Sequence, residues 1–330
     1  MQKRYYFIYF CLVLLAFAGP GLLEGYWLRV FTSMFMYATL ALAINIISGF
    51  TGYIALGNVV FFGLGAIASG IVITQGGVNQ WIAIPIAGMV GGIYALVFGC
   101  PILRLKGAYF VMGTIGLNEA TRQFILNLKI TGGAKGIIMP VVTEYNPHTV
   151  FSTYYYAMLF LLLLSVAISV YISHSKWGYA FKAIKANERV ARSIGINATF
   201  YKVVAWTFSG ILTAMAGSIY ASWVAYIDPW DVFNLTVSVK SYIMMLLGGA
   251  GTVFGPLIGA TFLEILGEYV WVRATEFHLG TMGILMMLVI LLIPNGILGV
   301  LHSLKDNLAE GASGVSGIFG CNLMKKKVGG

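Results

Sequence analysis

The sequence predicts an all-α, polytopic membrane protein with about ten transmembrane helices. Three observations predict it: 59% of the 330 residues are hydrophobic, only 9% are charged, and 41 are glycines. A water-soluble globule needs a more polar surface, whereas helices in lipid pack closely through small residues such as Gly. We expect a single membrane domain over residues 1–300 and a disordered cytoplasmic tail at 301–330.

The predicted helices are apolar runs of about 20 residues, the length that crosses a bilayer, with shorter runs accepted where Gly or Pro interrupts them. They lie at 5–23, 28–48, 53–74, 80–101, 107–128, 151–173, 203–224, 237–250, 256–272 and 277–299. The first run, with its charged start and AFA at 16–18, also resembles a cleavable secretory signal. We interpret it as an uncleaved helix, and the direction of the later helices is the same in either case.

The positions of the 20 Lys and Arg residues predict the orientation. With the N-terminus inside, the cytoplasmic side receives most of them: Lys3, Arg4, Arg104, Lys106, Lys176, Lys182, Lys185, Arg189, Arg192, Lys202, Lys305 and Lys325 to Lys327. Fewer lie near the outer side (Arg29, Lys129, Lys135 and Arg273) or within the runs (Arg122 and Lys240). This bias satisfies the positive-inside rule. The net charge of +9 therefore reflects orientation, and nucleic-acid binding is not expected.

Residues 174–202 form the one internal cytoplasmic loop with room for its own helix. Its segment GYAFKAIKANERVARSIGIN (178–197) is basic and Ala-rich, with Gly178 as a flexible entry and Gly195 as a helix stop. A helical period gathers the apolar side chains of Phe181, Ile184, Val190, Ala191 and Ile194 on one side and the basic side chains on the other. Such a helix could lie on anionic headgroups or enter a groove of a cytoplasmic partner, and both remain open.

Catalytic and metal-binding patterns are missing from the sequence. It has no GxxxxGK[ST] or GxGxxG loop, and its four His fall in different loops or termini. Its three Cys lie far apart, with no second Cys or His at the spacing of metal ligands. We expect no enzyme activity and no cofactor in this chain. Its glycines have a packing role instead: Gly251, Gly255 and Gly259, four residues apart, are predicted to form one close-packing face of a helix.

Six motifs follow one another along the chain: GYIALGNVVFFGLGA (52–66), RLKGAYFVMGTIGLNE (104–119), TGGAKGI (131–137), the segment 178–197, GGAGTVFGPLIGA (248–260) and IPNGILGV (293–300). In this order they resemble the motifs of LivM-type permeases, the membrane subunits of ABC importers for branched-chain amino acids. The resemblance implies a type II ABC importer fold in a prokaryotic plasma membrane, with both termini cytoplasmic. It also implies a second homologous permease, two ABC ATPase subunits that bind ATP and Mg, and an extracytoplasmic binding protein.

The resemblance further implies that 178–197 is the coupling helix, which docks in a cleft of the ATPase. The candidate residues for ATPase coupling are Gly178, Ala183, Glu188, Arg189, Val190, Ala191 and Gly195. The chain departs from the importer consensus E-A-A-x-x-x-G, because Arg189, Val190 and Ala191 stand in its first three places. On the outer side, the 129–150 loop and the 225–234 stretch, which contains Asp228, Trp230 and Asp231, are candidate docking surfaces for the binding protein.

Polar residues within the runs are candidates to line a translocation path: Asn45, Asn58, Thr114 and Asn118. The alternative, which we favour, is that each makes a helix-to-helix hydrogen bond. Glu119 and Arg122 lie on one face near mid-depth, and we expect them to form a structural ion pair.

Other transport functions stay open. A similar ABC permease for urea or another small amide is the main alternative. An ion-coupled secondary transporter would use acids such as Glu119 and Glu264 as proton carriers, and a passive channel is favoured only by the glycine content. A proton-coupled carrier has no need of the basic loop.

Overall fold

The structure, a computed structural model, describes residues 24–140 and 147–273 together with positions 17, 19–21, 283 and 287. Nearly all of this part is helical. The predicted helices 5–23 and 277–299 and the tail 301–330 lie outside the described residues or touch them at single positions only.

The helices and strands have the following bounds. The first half contains α1 (Gly25–Ile44, continued by a π-helical turn, Asn45–Gly49), a 3-10 turn (Leu56–Asn58), α2 (Val59–Thr74), α3 (Gln80–Ile102), α4 (Ala108–Asn127), 3-10 turns at Lys129–Thr131 and Gly133–Lys135, and β1 (Ile137–Ile138). The second half contains α5 (Pro147–His174), α6 (Lys176–Ala186), α7 (Glu188–Ser193), α8 (Ala198–Val224), β2 (Tyr226–Ile227), α9 (Pro229–Val232), α10 (Leu235–Gly248) and α11 (Gly255–Arg273).

Each predicted run between residues 28 and 272 coincides with a helix: α1, α2, α3, α4, α5, α8, α10 and α11. Within the part of the chain that the structure describes, five stretches are long and apolar enough to cross a membrane: Gly25–Gly49, Leu56–Thr74, Gln80–Ile102, His148–His174 and Ala198–Val224. Several boundaries differ by three residues or more. The run 53–74 is helical only from Leu56, α5 begins at Pro147 ahead of the predicted residue 151, and α8 begins at Ala198 ahead of the predicted residue 203. The total of ten crossings stays a prediction.

Helix α8 lies at the centre and packs against α3, α2, α1 and α5. Glycines allow the close approach, since a Cβ at Gly65 would lie 2.0 Å from the Ala214 carbonyl oxygen and one at Gly217 would lie 2.1 Å from that of Phe62. Edge-to-face contacts join the rings of Phe61 and Trp206 at 5.2 Å between centroids. The core therefore consists of small residues at the helix crossings with aromatic rings beside them.

Helices α10 and α11 form a second close pair, and two of the three predicted packing glycines lie in α11. A Cβ at Gly259 would lie 1.9 Å from the Met244 carbonyl oxygen, and one at Gly255 would lie 2.2 Å from Thr252 Oγ1. The prediction was wrong for Gly251, which precedes α11 and has a left-handed φ of 85° in the turn between the helices. Its spacing matched the helical period, but the helix begins only at Gly255.

The 129–150 loop and the 225–234 stretch, both predicted to lie on the outer side of the membrane, pair with each other. Strands β1 and β2 are antiparallel, with Ile137 opposite Ile227 and Ile138 opposite Tyr226. Beyond β2 the chain turns back towards the interior of the bundle, where Asn118 Nδ2 of α4 donates to the Phe233 carbonyl oxygen at 2.9 Å. A Cβ at Gly63, well within α2, would lie 2.5 Å from the Phe233 ring. This return explains why α10 can be short.

Candidate functional site

The basic segment 178–197 forms two helices, α6 and α7, instead of the single predicted helix. The break is at Asn187, whose backbone is extended and whose side chain accepts hydrogen bonds from the backbone N–H groups of Arg189 and Val190. This is the N-cap arrangement that starts a new helix. Gly195, with φ of 88°, follows the end of α7, which confirms its predicted role as a helix stop.

Gly178 has a different role from the predicted flexible entry. It lies inside α6 and is buried, and a Cβ there would come within 2.2 Å of the Ile172 carbonyl oxygen. Glycine is therefore needed because the end of α5 and the start of α6 approach each other closely. The turn between them brings α6 directly against the bundle.

Glu188, the first residue of α7, is the centre of a polar network at this face of the bundle. Its carboxylate accepts a hydrogen bond from the Tyr53 hydroxyl, lies 3.3 Å from Lys202 Nζ and forms an ion pair with Arg192. The Lys202 side chain is only 1% exposed. A buried ammonium requires several partners, and here it also donates to the Tyr53 hydroxyl at 3.0 Å and to the Leu103 carbonyl oxygen at 3.1 Å.

The network keeps the Glu188 carboxylate ionised at neutral pH. Burial opposes ionisation, but the Tyr53 hydrogen bond and the nearby ammonium of Lys202 outweigh it, so the pKa of Glu188 lies below its usual value. The pKa of Tyr53 is raised by burial and by its hydrogen bond to Glu188, so its hydroxyl stays protonated. These groups form a fixed charge cluster, which ties α7 to the loop ahead of α2, to the residue that follows α3 and to α8.

A second tie holds α6. Lys185 Nζ donates to the Gly49 carbonyl oxygen at 2.7 Å, at the end of the π-helical turn that follows α1. Gly251 lies beside the same ammonium, since a Cβ there would be 3.1 Å from Lys185 Nζ. The helix pair is therefore connected to α1 and to the α10–α11 turn as well as to α2, α3 and α8.

The outward side of the pair is both basic and apolar. Val190 is 55% exposed and Ile194 is 68% exposed, and Arg189 is exposed beside them. Both apolar residues were predicted to share the side of Phe181, Ile184 and Ala191, but the break at Asn187 rotates α7 and turns them outward.

The predicted coupling residues therefore divide into groups by position. Arg189, Val190 and Gly195 face outward, and Ala183 and Glu188 are partly buried. Gly178 and Ala191 are buried within the chain, with Ala191 in a small cluster beside Ile184 and Ala198. Ala191 can accordingly shape the pair from inside, but its side chain does not contribute to the outward surface.

The polar residues predicted for a path are all buried, and each is hydrogen-bonded. Asn45 accepts from the Gly251 N–H and donates to the Thr252 carbonyl oxygen. Asn58 bridges Thr213 and Ser209 of α8. Thr114 accepts from the Gly57 N–H, and Asn118 donates to Phe233. These contacts support the helix-to-helix alternative.

The Glu119–Arg122 ion pair is present, but it is not deeply enclosed within the chain. The side chain of Glu119 is 47% exposed, whereas that of Arg122 is 17% exposed. Gln123 Nε2 donates to Glu119 at 3.0 Å, and the Arg122 guanidinium lies 4.3 Å from the centroid of the Trp230 ring. The ion pair is therefore present, and the low-dielectric setting expected for it stays a prediction.

A second ion pair between helices was missed. Lys240 Nζ of α10 lies 2.7 Å from Glu264 of α11, with both side chains largely buried, and Ser33 of α1 donates to Glu264 at 2.7 Å. Lys240 also lies over the Tyr37 ring at 3.9 Å. The sequence signal was available, because a Lys and a Glu within neighbouring apolar runs need partners. Within the described residues, no group of His, Cys, Asp and Glu could hold a metal ion.

Comparison with known proteins identifies the family. The model of the family described as "Branched-chain amino acid transport system / permease component" matches residues 26–291. The high-affinity branched-chain amino acid permease protein LivM of Salmonella typhimurium is 27% identical over 91% of this chain and 77% of its own length. LivM of Escherichia coli K12 has the same identity and coverage. LivH of that strain is 25% identical over 80% of this chain and 91% of its own.

No solved structure matches the chain. The family match nevertheless includes every helix from α1 to α11 and the anchored pair α6–α7. The chain is a multi-pass membrane protein and belongs to the family of permease components of branched-chain amino acid transport systems.

Proposed function

We propose that this chain is the membrane-spanning permease subunit of an ATP-driven importer that carries Leu, Ile and Val across the prokaryotic plasma membrane. The relatives named LivM and LivH support this substrate class. The observation that carries the proposal is the helix pair α6–α7, which presents a basic and apolar surface and is tied by Glu188, Lys202 and Lys185 to the membrane helices.

In this proposal the exposed surface around Arg189, Val190 and Ile194 docks on an ABC ATPase. Basic and apolar groups side by side suit a groove that is apolar at its centre and acidic at its rim. When the ATPase moves on binding ATP, the charge network transmits the displacement to α2, α3 and α8, because a buried ion pair is costly to break and moves as a unit.

The remaining parts of the importer lie in other chains. Two ATPase subunits bind ATP and Mg and supply the hydrolysis, a second homologous permease completes the membrane part, and an extracytoplasmic binding protein delivers the amino acid. The chain adopts a type II importer fold of about ten helices, with α6–α7 and both termini cytoplasmic. The β1–β2 region and the residues Asp228, Trp230 and Asp231 then face the binding protein.

Uptake measurements with the energy sources separated test this function. We expect import of labelled leucine to stop when ATP is depleted while the proton gradient is maintained, and to continue when the gradient is collapsed and ATP remains. The opposite pattern would identify an ion-coupled carrier. Competition by excess Ile and Val, but not by urea, distinguishes the amino acid from the amide alternative.

A further inference from the structure

The outward face of α4 differs from the outward faces of the neighbouring apolar helices. Its buried side, marked by Phe110, Thr114, Asn118, Thr121 and Ile125, packs into the bundle. Its other side exposes large side chains (Tyr109, Met112 and Phe124), small ones (Gly116 and Ala120) and, unlike its neighbours, polar ones: Gln123, Asn127 and nearly half of the Glu119 side chain. Helix α4 is also absent from the five stretches that are long and apolar enough to cross a membrane.

Helix α3 shows what a face against lipid looks like in this chain. Its exposed large side chains are all apolar and include Met89, Ile93, Leu96 and Val97, each more than half exposed. A carboxylate such as Glu119 cannot replace them, because a charged side chain facing the hydrocarbon region costs several kcal/mol. Polar residues at membrane depth instead face a water-filled cavity or another protein chain.

Glu119 lies at membrane depth. Its neighbour Asn118 donates to the carbonyl oxygen of Phe233, and the Phe233 ring packs against Gly63. Gly63 is well inside the apolar stretch Leu56–Thr74. The half-exposed carboxylate is therefore level with the middle of α2.

We propose that the outward face of α4 lines a water-filled cavity in the assembled importer, where Glu119 and Arg122 bind the charged backbone groups of the passing amino acid. A free amino acid at neutral pH carries an ammonium and a carboxylate on adjacent atoms. The Glu119 carboxylate binds the ammonium. The planar guanidinium of Arg122 binds the carboxylate, whose geometry it suits. This inference rests on the proposed function, because an amino acid is its ligand.

The surroundings of the pair allow such an exchange. Among the residues that the structure describes, Glu119 has Gln123 as its one carboxylate partner besides Arg122, whereas Trp230 holds the guanidinium by a cation–π contact. An exposed ion pair is worth roughly 1 kcal/mol or less. An incoming zwitterion can therefore replace the internal pair at small cost and leave it equally easily, as transport requires.

Cysteine labelling of the complete importer in membrane vesicles tests the cavity. In a background with Cys11→Ser, Cys100→Ser and Cys321→Ser, Ala120→Cys on α4 is compared with Ile93→Cys on the α3 face. A charged methanethiosulfonate, given access to both sides of the membrane, reacts with the thiolate, which forms readily only in contact with water. We expect Ala120→Cys to react at least about tenfold faster than Ile93→Cys. Equal, slow labelling would overturn the cavity.

The ligand is tested by the amount of leucine imported per ATP hydrolysed. We expect Glu119→Gln to be made at a normal level, since its side chain is half exposed, but to import about tenfold less leucine per ATP, the effect of losing about 1.4 kcal/mol of interaction. Glu24→Gln, which removes an exposed carboxylate ahead of α1, is the control. Normal leucine import per ATP in Glu119→Gln would overturn the binding role.

The labelling rates do not depend on which substrate the importer carries. If the unmodified importer shows no ATP-driven uptake of Leu, Ile or Val, the proposed function and the amino-acid ligand both fail. The labelling rates of Ala120→Cys and Ile93→Cys would still decide whether α4 faces water.

Discussion

At the scale of single residues, the placement of charge separates two kinds of side chain in this protein. Lys202 is almost fully enclosed and has Glu188, Tyr53 and a backbone carbonyl as partners. Glu119 has one side open and few partners. The first arrangement fixes a position, because removing a partner strands a buried charge, and the second permits exchange with a ligand.

Lys202→Met is expected to loosen the helix pair from the bundle. It leaves Glu188 without its ammonium partner, and even about 1.4 kcal/mol of lost stability raises the opened population tenfold. Limited trypsin digestion should therefore cut between residues 176 and 193 about tenfold faster. Lys106→Met, at an exposed position, is the control, and equal digestion of both variants would show that Lys202 does not anchor the pair.

At the scale of helices, the break at Asn187 determines which side chains a partner can reach. The sequence pattern placed Val190 and Ile194 on the inner side of one continuous helix, and the N-cap at Asn187 turns them outward. Hydrophobic periodicity could not locate the break, since Asn occurs both within helices and at their ends. Its signal was the capping residue followed by an acidic residue at the first position of the new helix.

Ile194→Asp should abolish ATP-driven uptake and weaken co-purification of the ATPase subunits without lowering the amount of permease in the membrane. A carboxylate in an apolar cleft loses its hydration and finds no partner there. Lys176→Gln lowers the charge of the same loop by one unit at a more distant exposed position and serves as the control. Wild-type uptake by Ile194→Asp would remove α7 from the docking surface.

The contact between α10 and α11 gives a second prediction at this scale. Gly259→Ala is expected to destabilise the protein by about 1–3 kcal/mol, because the added methyl would lie 1.9 Å from the Met244 carbonyl oxygen and the two helices must separate. Thermal unfolding of the purified protein in detergent measures the change. Gly116→Ala is the matched control: nothing lies within 4 Å of its Cβ, and Ala stabilises a helix relative to Gly. Equal destabilisation of the two variants would contradict the packing argument.

At the scale of the whole molecule, the apolar runs predicted where the helices lie but not which segments contact one another. Each run between residues 28 and 272 coincides with a helix over most of its length, because a segment in lipid must satisfy its own backbone hydrogen bonds. The pairing of β1 with β2, the Tyr53–Glu188 contact and the Lys240–Glu264 pair join positions far apart in sequence. Hydropathy describes one helix at a time, so these contacts could not be derived from it.

The Lys240–Glu264 pair allows a test of whether transport is driven by protons or by ATP. It joins α10 to α11, and Ser33 and Tyr37 attach it to α1. If Glu264 carried protons, removing its carboxylate would stop transport whatever replaced Lys240. If the pair only holds helices together, Lys240→Met alone leaves a buried carboxylate and costs about 3–5 kcal/mol, whereas Lys240→Met with Glu264→Leu is close to neutral.

We therefore expect the single variant Lys240→Met to be poorly expressed, and the double variant to recover both its membrane level and its ATP-driven uptake of leucine. Immunoblots of membranes together with uptake under a collapsed proton gradient give both readouts. A double variant that is present at the normal level but does not transport would make Glu264 a participant in transport. Recovery of uptake without any carboxylate at residue 264 would leave ATP as the source of energy, since Glu119 of α4, the second acid considered as a proton carrier, faces the proposed ligand.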